Sequence, residues 1–313
     1  KMKTIKINGE EKKFINLISM IRHLDTLYLE EVDDIDLSNI GLGGQQLKEV
    51  VHYLSQMLYL TRLRLDENQL DNEGAEVIAQ FLQSHTRLEY LDISNNDISD
   101  QGFIALSSAI QFNENLPLQA LHINNNKMGE QGATALVTML SLNTTIKNLD
   151  ISGNPIGEVG GLSVCTMIGQ NSHLQELDLS DLSLQPFHLS CLAENIIHNQ
   201  SLVSLLLGQN YFDEKSICKF SEALKGHLSL RALRIDSLFE QGGMTVQFAD
   251  PAIPLNYLNL TFNNLTYENI EKLSDMLKAN NTLQYLHLAK TGLTNEKLVL
   301  LDNALNYNTT LKI

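Results

Sequence analysis

The sequence predicts an α/β solenoid, in which a short strand and a helix alternate about every 28 residues. The first reason is a leucine pattern that returns along nearly the whole chain. It begins at Val32, Leu60, Leu88, Leu118, Ile146, Leu174, Leu202, Leu230, Leu255 and Leu283. The second reason is that apolar residues recur at helical spacing after each pattern. Such regular returns indicate a fold that grows by stacking similar units.

Each repeat begins with a short strand, because apolar and polar residues alternate there, as in Arg62-Leu63-Arg64-Leu65. An asparagine usually follows the strand, and its amide can satisfy the backbone of a turn. Stacked repeats would align these side chains into a ladder: Asn68, Asn96, Asn126, Asn154, Asn210 and Asn263. Four repeats have another residue in place of this asparagine, so the backbone of their turns needs other hydrogen-bond partners; these residues are Ile40, Leu182, Leu238 and Thr291.

The second half of each repeat is predicted to be a helix with one buried face. Three such faces are Ala75, Ile78, Ala79 and Leu82; Ala133, Leu136, Val137 and Leu140; and Leu189, Leu192, Ala193 and Ile196. A glycine recurs where these helices begin, at Gly74, Gly102, Gly132 and Gly160. Because glycine has no side chain, we expect it to let the helix approach the strand closely.

The pattern LxxLxLxxNxL at this spacing resembles the ribonuclease-inhibitor-like leucine-rich-repeat family, over roughly residues 32 to 313. The resemblance implies a horseshoe-shaped solenoid of about ten 28-residue repeats, with a concave parallel sheet and convex helices. Strands about 4.8 Å apart on one side and helices about 8–10 Å apart on the other would produce that curvature.

Two domains follow from the pattern: an N-terminal cap over residues 1–31 and the solenoid over residues 32–313. In the cap, Ile5 and Ile7 predict a short strand, and Phe14 to Ile21 an amphipathic helix. The repeat at 238–254 contains Gly242-Gly243 and two prolines, so we expect no full helix there. The last repeat, which begins near Leu311, looks truncated.

The charge balance narrows the class of partner. The chain has 22 basic and 37 acidic residues, a formal net charge of −15. That charge repels phosphate backbones, so we expect a protein partner, with a basic surface, and no nucleic acid. No apolar run is long enough to cross a membrane, and Lys1 to Gly9 do not form a signal peptide. We expect a monomer.

The three cysteines, Cys165, Cys191 and Cys218, form no paired motif, which predicts a reducing, cytoplasmic setting. Neither a glycine-rich phosphate loop nor a metal-binding histidine spacing occurs, so we expect no cofactor, no metal and no enzyme activity. The sequons at Asn143 and Asn199 are expected to stay unglycosylated.

Side chains between and just after the strand leucines are expected to face a partner. We predict partner-binding roles for Arg62, Arg64, Asp66, Tyr90, Glu176, Asp181, Tyr257, Phe262, Tyr285, His287 and Lys290. Acidic residues dominate the early repeats and aromatic residues the late ones, which suggests steering by the first zone and anchoring by the second.

The predicted function is therefore a protein–protein interaction module. The Asn- and Leu-rich character without tryptophan resembles the secreted effectors of intracellular bacteria, which would place the chain in a host cytosol. Two alternatives stay open. One is a GTPase-activating regulator similar to the Ran GTPase activator. The other is the substrate-recognition part of a larger enzyme.

Overall fold

The computed structural model of the chain describes residues 3–238 and 242–312. The chain forms two compact units: the first unit is Lys1–Gly160 and the second unit is Gly161–Ile313. Residues 1, 2, 239–241 and 313 lie outside the described part. The start of the predicted cap, the middle of the predicted irregular repeat and the end of the truncated repeat therefore fall partly outside it. The proposed division at residues 31 and 32 stays a prediction.

The first unit contains seven strands, in the sheet order β7-β6-β5-β4-β3-β1-β2. They are β1 Lys3–Ile7, β2 Glu10–Phe14, β3 Asp34–Asp36, β4 Arg62–Arg64, β5 Tyr90–Asp92, β6 Ala120–His122 and β7 Asn148–Asp150. Strands β3 to β7 are parallel. The hairpin of β1 and β2 lies at one edge, where β1 pairs antiparallel with β3.

The second unit contains five parallel strands, in the order β12-β11-β10-β9-β8. They are β8 Glu176–Asp178, β9 Ser204–Leu206, β10 Ala232–Arg234, β11 Tyr257–Asn259 and β12 Tyr285–His287. Counted with β3 to β7, which are parallel within the first unit, the described part of the chain has ten repeat strands. This count confirms the predicted solenoid of about ten strand–helix repeats.

A helix follows nearly every strand. The helices are α1 Leu17–Leu24, α2 Gly44–Leu54, α3 Asn72–Ser84, α4 Asp100–Phe112, α5 Glu130–Leu140, α6 Gly157–Ile168, α7 Pro186–Ile196, α8 Glu214–Leu224, α9 Tyr267–Ala279 and α10 Asn295–Leu305. Short 3₁₀ helices cover Leu29–Glu31 and Gly242–Ala249. No full helix forms between residues 242 and 254, as predicted, while residues 239–241 of that repeat are not described.

The core lies between the strands and the helices. In β4, Leu63 is fully buried between two more exposed arginines, and β3, β5, β6 and β7 repeat this arrangement. The predicted helix faces are buried, with one exception. Val137 is only half-buried, and Met139 is buried instead. The exception arises because Met139 and Leu140, at the end of α5, both turn toward the core.

The predicted asparagine ladder forms. Asn68 Nδ2 donates to the carbonyls of Leu65 and, in the preceding repeat, Leu37, both at 2.9 Å. Its Oδ1 accepts from the backbone N–H groups of Ile40 and Leu42 at 3.1 and 3.0 Å. Each ladder asparagine therefore joins two consecutive repeats and satisfies polar backbone that would otherwise be buried alone.

Thr291 shows how a repeat without the ladder asparagine satisfies its turn. Its Oγ1 donates to the carbonyl of Leu288 at 2.8 Å, which replaces the bond that asparagine makes within its own repeat. Toward the preceding repeat, the Leu265 N–H donates to the backbone carbonyl of Thr291 at 3.1 Å, and Lys297 Nζ donates to the carbonyl of Leu265 at 2.7 Å. The Thr291 carbonyl thus accepts the N–H that an asparagine Oδ1 accepts elsewhere, and a lysine on the following helix adds a further bond between the two repeats.

The recurrent glycines permit close packing, but the neighbour differs from the prediction. A Cβ on Gly102 would lie 2.8 Å from the Cβ of Ala75, on the preceding helix, and 2.6 Å from the side chain of Ile98. Gly160 would similarly meet Ala133 at 3.0 Å. The glycines therefore make room for the preceding helix and for the residue four positions earlier, in the loop after their own strand, rather than for the strand itself.

The N-terminal region contains the predicted strand with Ile5 and Ile7, but the predicted helix starts later. Phe14 ends the second strand of the hairpin, and α1 begins at Leu17. Asn16 sets this start because its Oδ1 accepts from the N–H of Ser19 at 2.9 Å in a capping box.

Candidate functional site

The candidate site is the exposed face of the repeat strands, the face turned away from the helices. In each strand the central residue is buried or largely buried, so the two flanking residues point to the opposite side. The predicted partner-binding residues lie on this face or in the turn that follows it. Arg62, Arg64 and Tyr90 lie in β4 and β5, Glu176 in β8, Tyr257 in β11, and Tyr285 and His287 in β12; Asp66, Asp181, Phe262 and Lys290 follow strands.

The first unit brings four of these residues together with neighbours on adjacent strands. The guanidinium carbon of Arg62 lies 4.2 Å from the centre of the Tyr90 ring, and that of Arg64 lies 5.5 Å from it. Register explains the contact, because Arg62 on β4 lies opposite Tyr90 on β5. We call Arg62, Arg64, Tyr90, Asp34, Asp66, Asp92 and His122 the arginine–tyrosine cluster.

Hydrogen bonds and ion pairs fix the orientation of these side chains. Arg64 Nη1 lies 3.1 Å from a carboxylate oxygen of Asp34. The Tyr90 hydroxyl donates to Asp92 at 3.3 Å, and its ring meets His122 edge to face at 5.1 Å. The cluster is thus a connected surface of aromatic, cationic and acidic groups spread over four strands.

The electrostatics of the cluster follow from partial burial beside carboxylates. Burial, and then the charge of Asp92, raise the pKa of the Tyr90 phenol above its usual value. Burial is also the main cause that raises the pKa of the Asp66 carboxyl, and the charge of Asp92 adds to it. An incoming cation would relieve this repulsion between carboxylates.

The second unit brings together another group, which we call the aromatic–basic patch: Tyr257, Phe262, Tyr285, His287, Lys290 and Lys312. The rings of Tyr257 and His287 are 5.1 Å apart. Two lysines lie over aromatic faces: Lys290 Nζ is 4.7 Å from the centre of Phe262, and Lys312 Nζ is 5.0 Å from that of Tyr285. Five of its six residues were predicted, and Lys312 was missed.

Glu176 and Asp181 do not join this patch. They belong to the β8 repeat, and three strand spacings separate β8 from β11, which amounts to about 14 Å. Both side chains are exposed. A role for them in partner binding remains a proposal that is separate from the aromatic residues.

Arg234 and Asp236 form an ion pair that the sequence did not single out. Arg234 Nε and Nη2 lie 2.6 and 3.2 Å from the two carboxylate oxygens of Asp236, which is almost fully buried. This pairing is the main reason that the pKa of Arg234 is raised. Asp236 occupies the same repeat position as Asp66, and that correspondence was the available signal.

A second row of amides, buried or half-buried and missed in the sequence, lies at the turns before the strands. Asn199 Nδ2 donates to the carbonyls of Ile168 and Asn171 at 2.8 and 2.9 Å, and its Oδ1 accepts from the N–H groups of Ser201 and Leu202. Asn113, Asn143, Asn171, Asn280 and Asn308 occupy equivalent turns. The Asn-x-Ser/Thr sequences at Asn143 and Asn199 are thus part of this turn structure.

His227 takes the same position as those asparagines. Its Nδ1 accepts from the N–H of Leu230 at 3.1 Å, and its Nε2 lies 3.0 Å from the carbonyl of Ile196. Burial lowers the pKa of His227, and it does the same for His85, whose Nε2 contacts the carbonyl of Leu60. These histidines are structural turn residues.

The three cysteines are free thiols, and Cys165 is buried, which raises the pKa of its thiol. Cys191 and Cys218 are only half-buried, because each lies on the outer edge of its helix face. Within residues 3–238 and 242–312, no group of three or more His, Cys, Asp or Glu side chains is arranged to hold a metal ion. No helix in the same residues is long and apolar enough to cross a membrane.

The stacked strand–helix repeats, with an exposed strand face, form a solenoid of the leucine-rich-repeat fold. A family model for the leucine-rich repeat matches residues 56–79, 84–107, 114–137, 142–165 and 170–181. The leucine-rich repeat-containing protein AAC1 of Dictyostelium discoideum is 30% identical over 119 residues. That match covers 37% of this chain and only 14% of the length of that relative.

Two solved structures are also similar. An internalin from Listeria monocytogenes has a TM-score of 0.52 at 17% identity, covering 94% of this chain and 87% of that chain. The actin-binding site 2 of leiomodin-1 covers 56% of this chain and 89% of its own, with a TM-score of 0.34 and 16% identity. At these identities the first likeness concerns the fold alone, and the second supports no inference.

Proposed function

We propose that this chain is a protein–protein interaction module that binds its partner through the exposed strand face. The observation that carries the proposal is the arginine–tyrosine cluster, in which Arg62 and Arg64 lie against the ring of Tyr90. Tyrosine and arginine are the residue types that most often supply the binding energy of protein interfaces. Here they stand on strands rather than on mobile loops.

The cluster is also ordered before any partner arrives. The ion pair with Asp34 and the hydrogen bond to Asp92 hold the arginine and the tyrosine in place. Side chains that are already ordered lose less conformational entropy on binding, so more of the contact energy is available for affinity. Side chains ordered in this way are expected in a binding surface more than in a surface that only keeps the chain in solution.

The chemistry of the partner follows from charge. The register places Asp36, Asp92 and Asp150 in one row across the first unit, interrupted by Arg64 and His122. Asp66 adds a carboxylate whose pKa is raised by burial and, to a smaller extent, by the charge of Asp92. With a net charge of −15, these residues favour a partner with a basic surface opposite the first unit.

The setting we propose is a reducing compartment such as the cytosol, because all three cysteines are free. The strand–helix period of about 28 residues favours the ribonuclease-inhibitor-like subtype of the leucine-rich repeat.

The test is affinity capture from a eukaryotic cell lysate, with the full chain as bait, at low and at moderate salt. Two variants remove the candidate residues: Arg62→Ala with Tyr90→Ala, and Tyr257→Ala with Phe262→Ala and Tyr285→Ala. The control, Phe112→Ala with Leu142→Ala, removes side chains of similar size that are exposed at the ends of helices. The proposal requires a partner that is lost with a strand-face variant and retained with the control. A partner that all baits capture equally would refute it.

A further inference from the structure

Charge on the aromatic–basic patch differs from that of the chain as a whole. Across residues 255–262 and 283–290 the only basic or acidic side chains are His287 and Lys290, and neither segment has a carboxylate. Lys312 adds a third basic group, beside Tyr285. The nearby charge of Arg234 is matched by the buried Asp236. In a chain with a net charge of −15, this is a local basic surface.

The lysines of the patch contact aromatic rings and not carboxylates. In the part of the chain that the structure describes, Lys290 and Lys312 form no ion pair with a carboxylate, whereas Lys272 and Lys278 on α9 do. Lys312 Nζ bonds the Tyr285 hydroxyl at 3.2 Å. Both ammonium groups therefore have donor capacity left for an anion.

Phe262 is an unusual residue for its position. It has a φ of +62°, in the left-handed region, and its side chain is 53% exposed. The same turn position elsewhere holds a polar residue or glycine: Asn39, Glu67, Asn95, Asn125, Gly153, Asp181, Gln209, Ser237 and Lys290. A phenyl ring there costs backbone strain and exposes apolar surface, and the contact with Lys290 offsets only part of that cost within the free chain.

We propose that the aromatic–basic patch binds an acidic peptide segment of a partner protein. Carboxylates of the peptide pair with Lys290 and Lys312, and its apolar atoms cover Tyr257, Tyr285 and Phe262. Tyr257 and Tyr285 lie side by side across β11 and β12, which offers a flat aromatic floor. The inference rests on the proposed function and adds the chemistry of the partner at this site.

The geometry also sets the spacing of the acids. Lys312 stands beside Tyr285 at the start of β12, and Lys290 follows the end of that strand. At about 3.3 Å per residue, the segment from Tyr285 to Lys290 spans at most about 17 Å. An extended peptide that reaches both lysines needs its two acidic positions separated by roughly three to five residues.

The test uses a library of random nine-residue peptides displayed on phage and selected on the full chain. We expect enrichment of peptides with two acidic residues at that separation and apolar residues between them. A synthetic copy of an enriched peptide is then measured by fluorescence anisotropy. The double variant Lys290→Gln with Lys312→Gln should lower the affinity for this peptide about tenfold or more, as expected for the loss of two desolvated charge contacts. Gln209 adopts φ +57° at the equivalent turn, so glutamine fits the backbone of Lys290.

The matched control is Lys272→Gln with Lys278→Gln, which removes the same charge from α9 and should leave the affinity unchanged. A second variant, Phe262→Asn, should lower the affinity for the peptide although it leaves every charged side chain in place. Enrichment of basic or neutral peptides, equal binding to the double variant, or no enrichment at all would overturn the inference. If non-acidic peptides are selected and their binding is lost when Tyr257 and Tyr285 are replaced by alanine, only the acidic character of the partner is refuted. The proposed function as an interaction module would then still hold.

Discussion

Arg62 and Tyr90, on neighbouring parallel strands, stack with the guanidinium carbon 4.2 Å from the ring centre. Each is a large side chain on the exposed strand face, so their contact covers part of both surfaces without burying either in the core. Such a pair is stabilised by the attraction between a cation and an aromatic face, by about 0.5–1 kcal/mol at exposed sites. The stack presents a rigid platform of two residue types that dominate protein interfaces.

Replacing Tyr90 tests whether that platform binds. Against the partner captured with the full chain, Tyr90→Ala should lower affinity by about 2 kcal/mol, roughly thirtyfold, as for a central interface residue. Tyr90→Phe keeps the ring beside Arg62 and loses the hydrogen bond to Asp92, so it should lose less affinity. Calorimetry gives the affinities, and urea unfolding should show little change in stability for either variant. An unchanged affinity for Tyr90→Ala would contradict the assignment.

The asparagine ladder predicts a large effect on stability. Asn96 Nδ2 donates to the carbonyls of Leu65, Ile93 and Ser94, and its Oδ1 accepts from the N–H of Leu70 at 2.9 Å. Asn96→Ala leaves buried backbone groups without partners and should lower the free energy of unfolding by about 2–4 kcal/mol. Urea denaturation measures it.

The control for that experiment is the adjacent residue. Asn95 is exposed and has a φ of +52°, which glycine adopts without strain. Asn95→Gly should therefore change the free energy of unfolding by no more than about 0.5 kcal/mol. Equal losses in Asn95→Gly and Asn96→Ala would show that the buried amide bonds are not the source of the effect.

His227 predicts a dependence of stability on pH. Burial lowers the pKa of His227 in the folded chain below its unfolded value of about 6.5. Above that value both states are neutral and the contribution is constant. As the pH falls below about 6.5, the unfolded state binds the proton first, so stability decreases until the pH reaches the lowered folded pKa. His227→Asn should remove this contribution, because asparagine makes the same bonds at the equivalent Asn199.

The measurement is the free energy of unfolding of the wild type and His227→Asn between pH 5 and pH 7.5. The difference between them should be flat at the upper end and should move in favour of the variant as the pH falls. The reciprocal variant Asn199→His should become less stable at low pH by a similar amount. A difference that does not vary with pH would show that His227 is not buried in the neutral form.

The second row of amides predicts resistance to glycosylation. Asn199 Nδ2, the atom that would carry a glycan, is buried and donates to two carbonyls. Folded chain incubated with a purified oligosaccharyltransferase and its lipid-linked donor should stay unmodified at Asn199, as read by mass spectrometry. A synthetic peptide covering residues 195–205 is the control and should be modified. Glycosylation of the folded chain at Asn199 would contradict the observed turn.

The repeat made most of the fold predictable, because one residue at the same phase in each unit has one structural role. Leu63 is buried in β4, and Asn68 bonds two repeats, as their positions in the pattern require. The start of α1 was predicted wrongly at Phe14. The hairpin strand Glu10–Phe14 is mostly exposed and polar, so it carries no alternation that would distinguish it from a helix start.

The sequence predicted which residues lie on the exposed strand face, but not which of their side chains contact each other. The pattern placed Arg62, Tyr90, Tyr257 and Tyr285 on the exposed face. The approach of Lys312 to Tyr285, and the pairing of Arg234 with Asp236, depend on side-chain rotamers that a repeat pattern does not encode. The second row of amides was hidden because His227 interrupts it, and because four of its members, Asn143, Asn199, Asn280 and Asn308, resemble glycosylation sites.

Phe262 predicts an opposition between stability and binding. A residue other than glycine costs about 1–2 kcal/mol in the left-handed region, and asparagine tolerates that region better than phenylalanine. Phe262→Asn gives up the contact with Lys290, worth about 0.5–1 kcal/mol, so a net gain of roughly 0.5–1 kcal/mol in the free energy of unfolding is expected. Thermal and urea unfolding measure the gain, and the same variant should bind an acidic peptide more weakly. The reciprocal Asn95→Phe should destabilise the chain, since it creates the strained turn where asparagine stands now. A loss of stability in Phe262→Asn would instead mean that the phenyl ring supports the fold, because a ring kept for binding has no reason to stabilise the free chain.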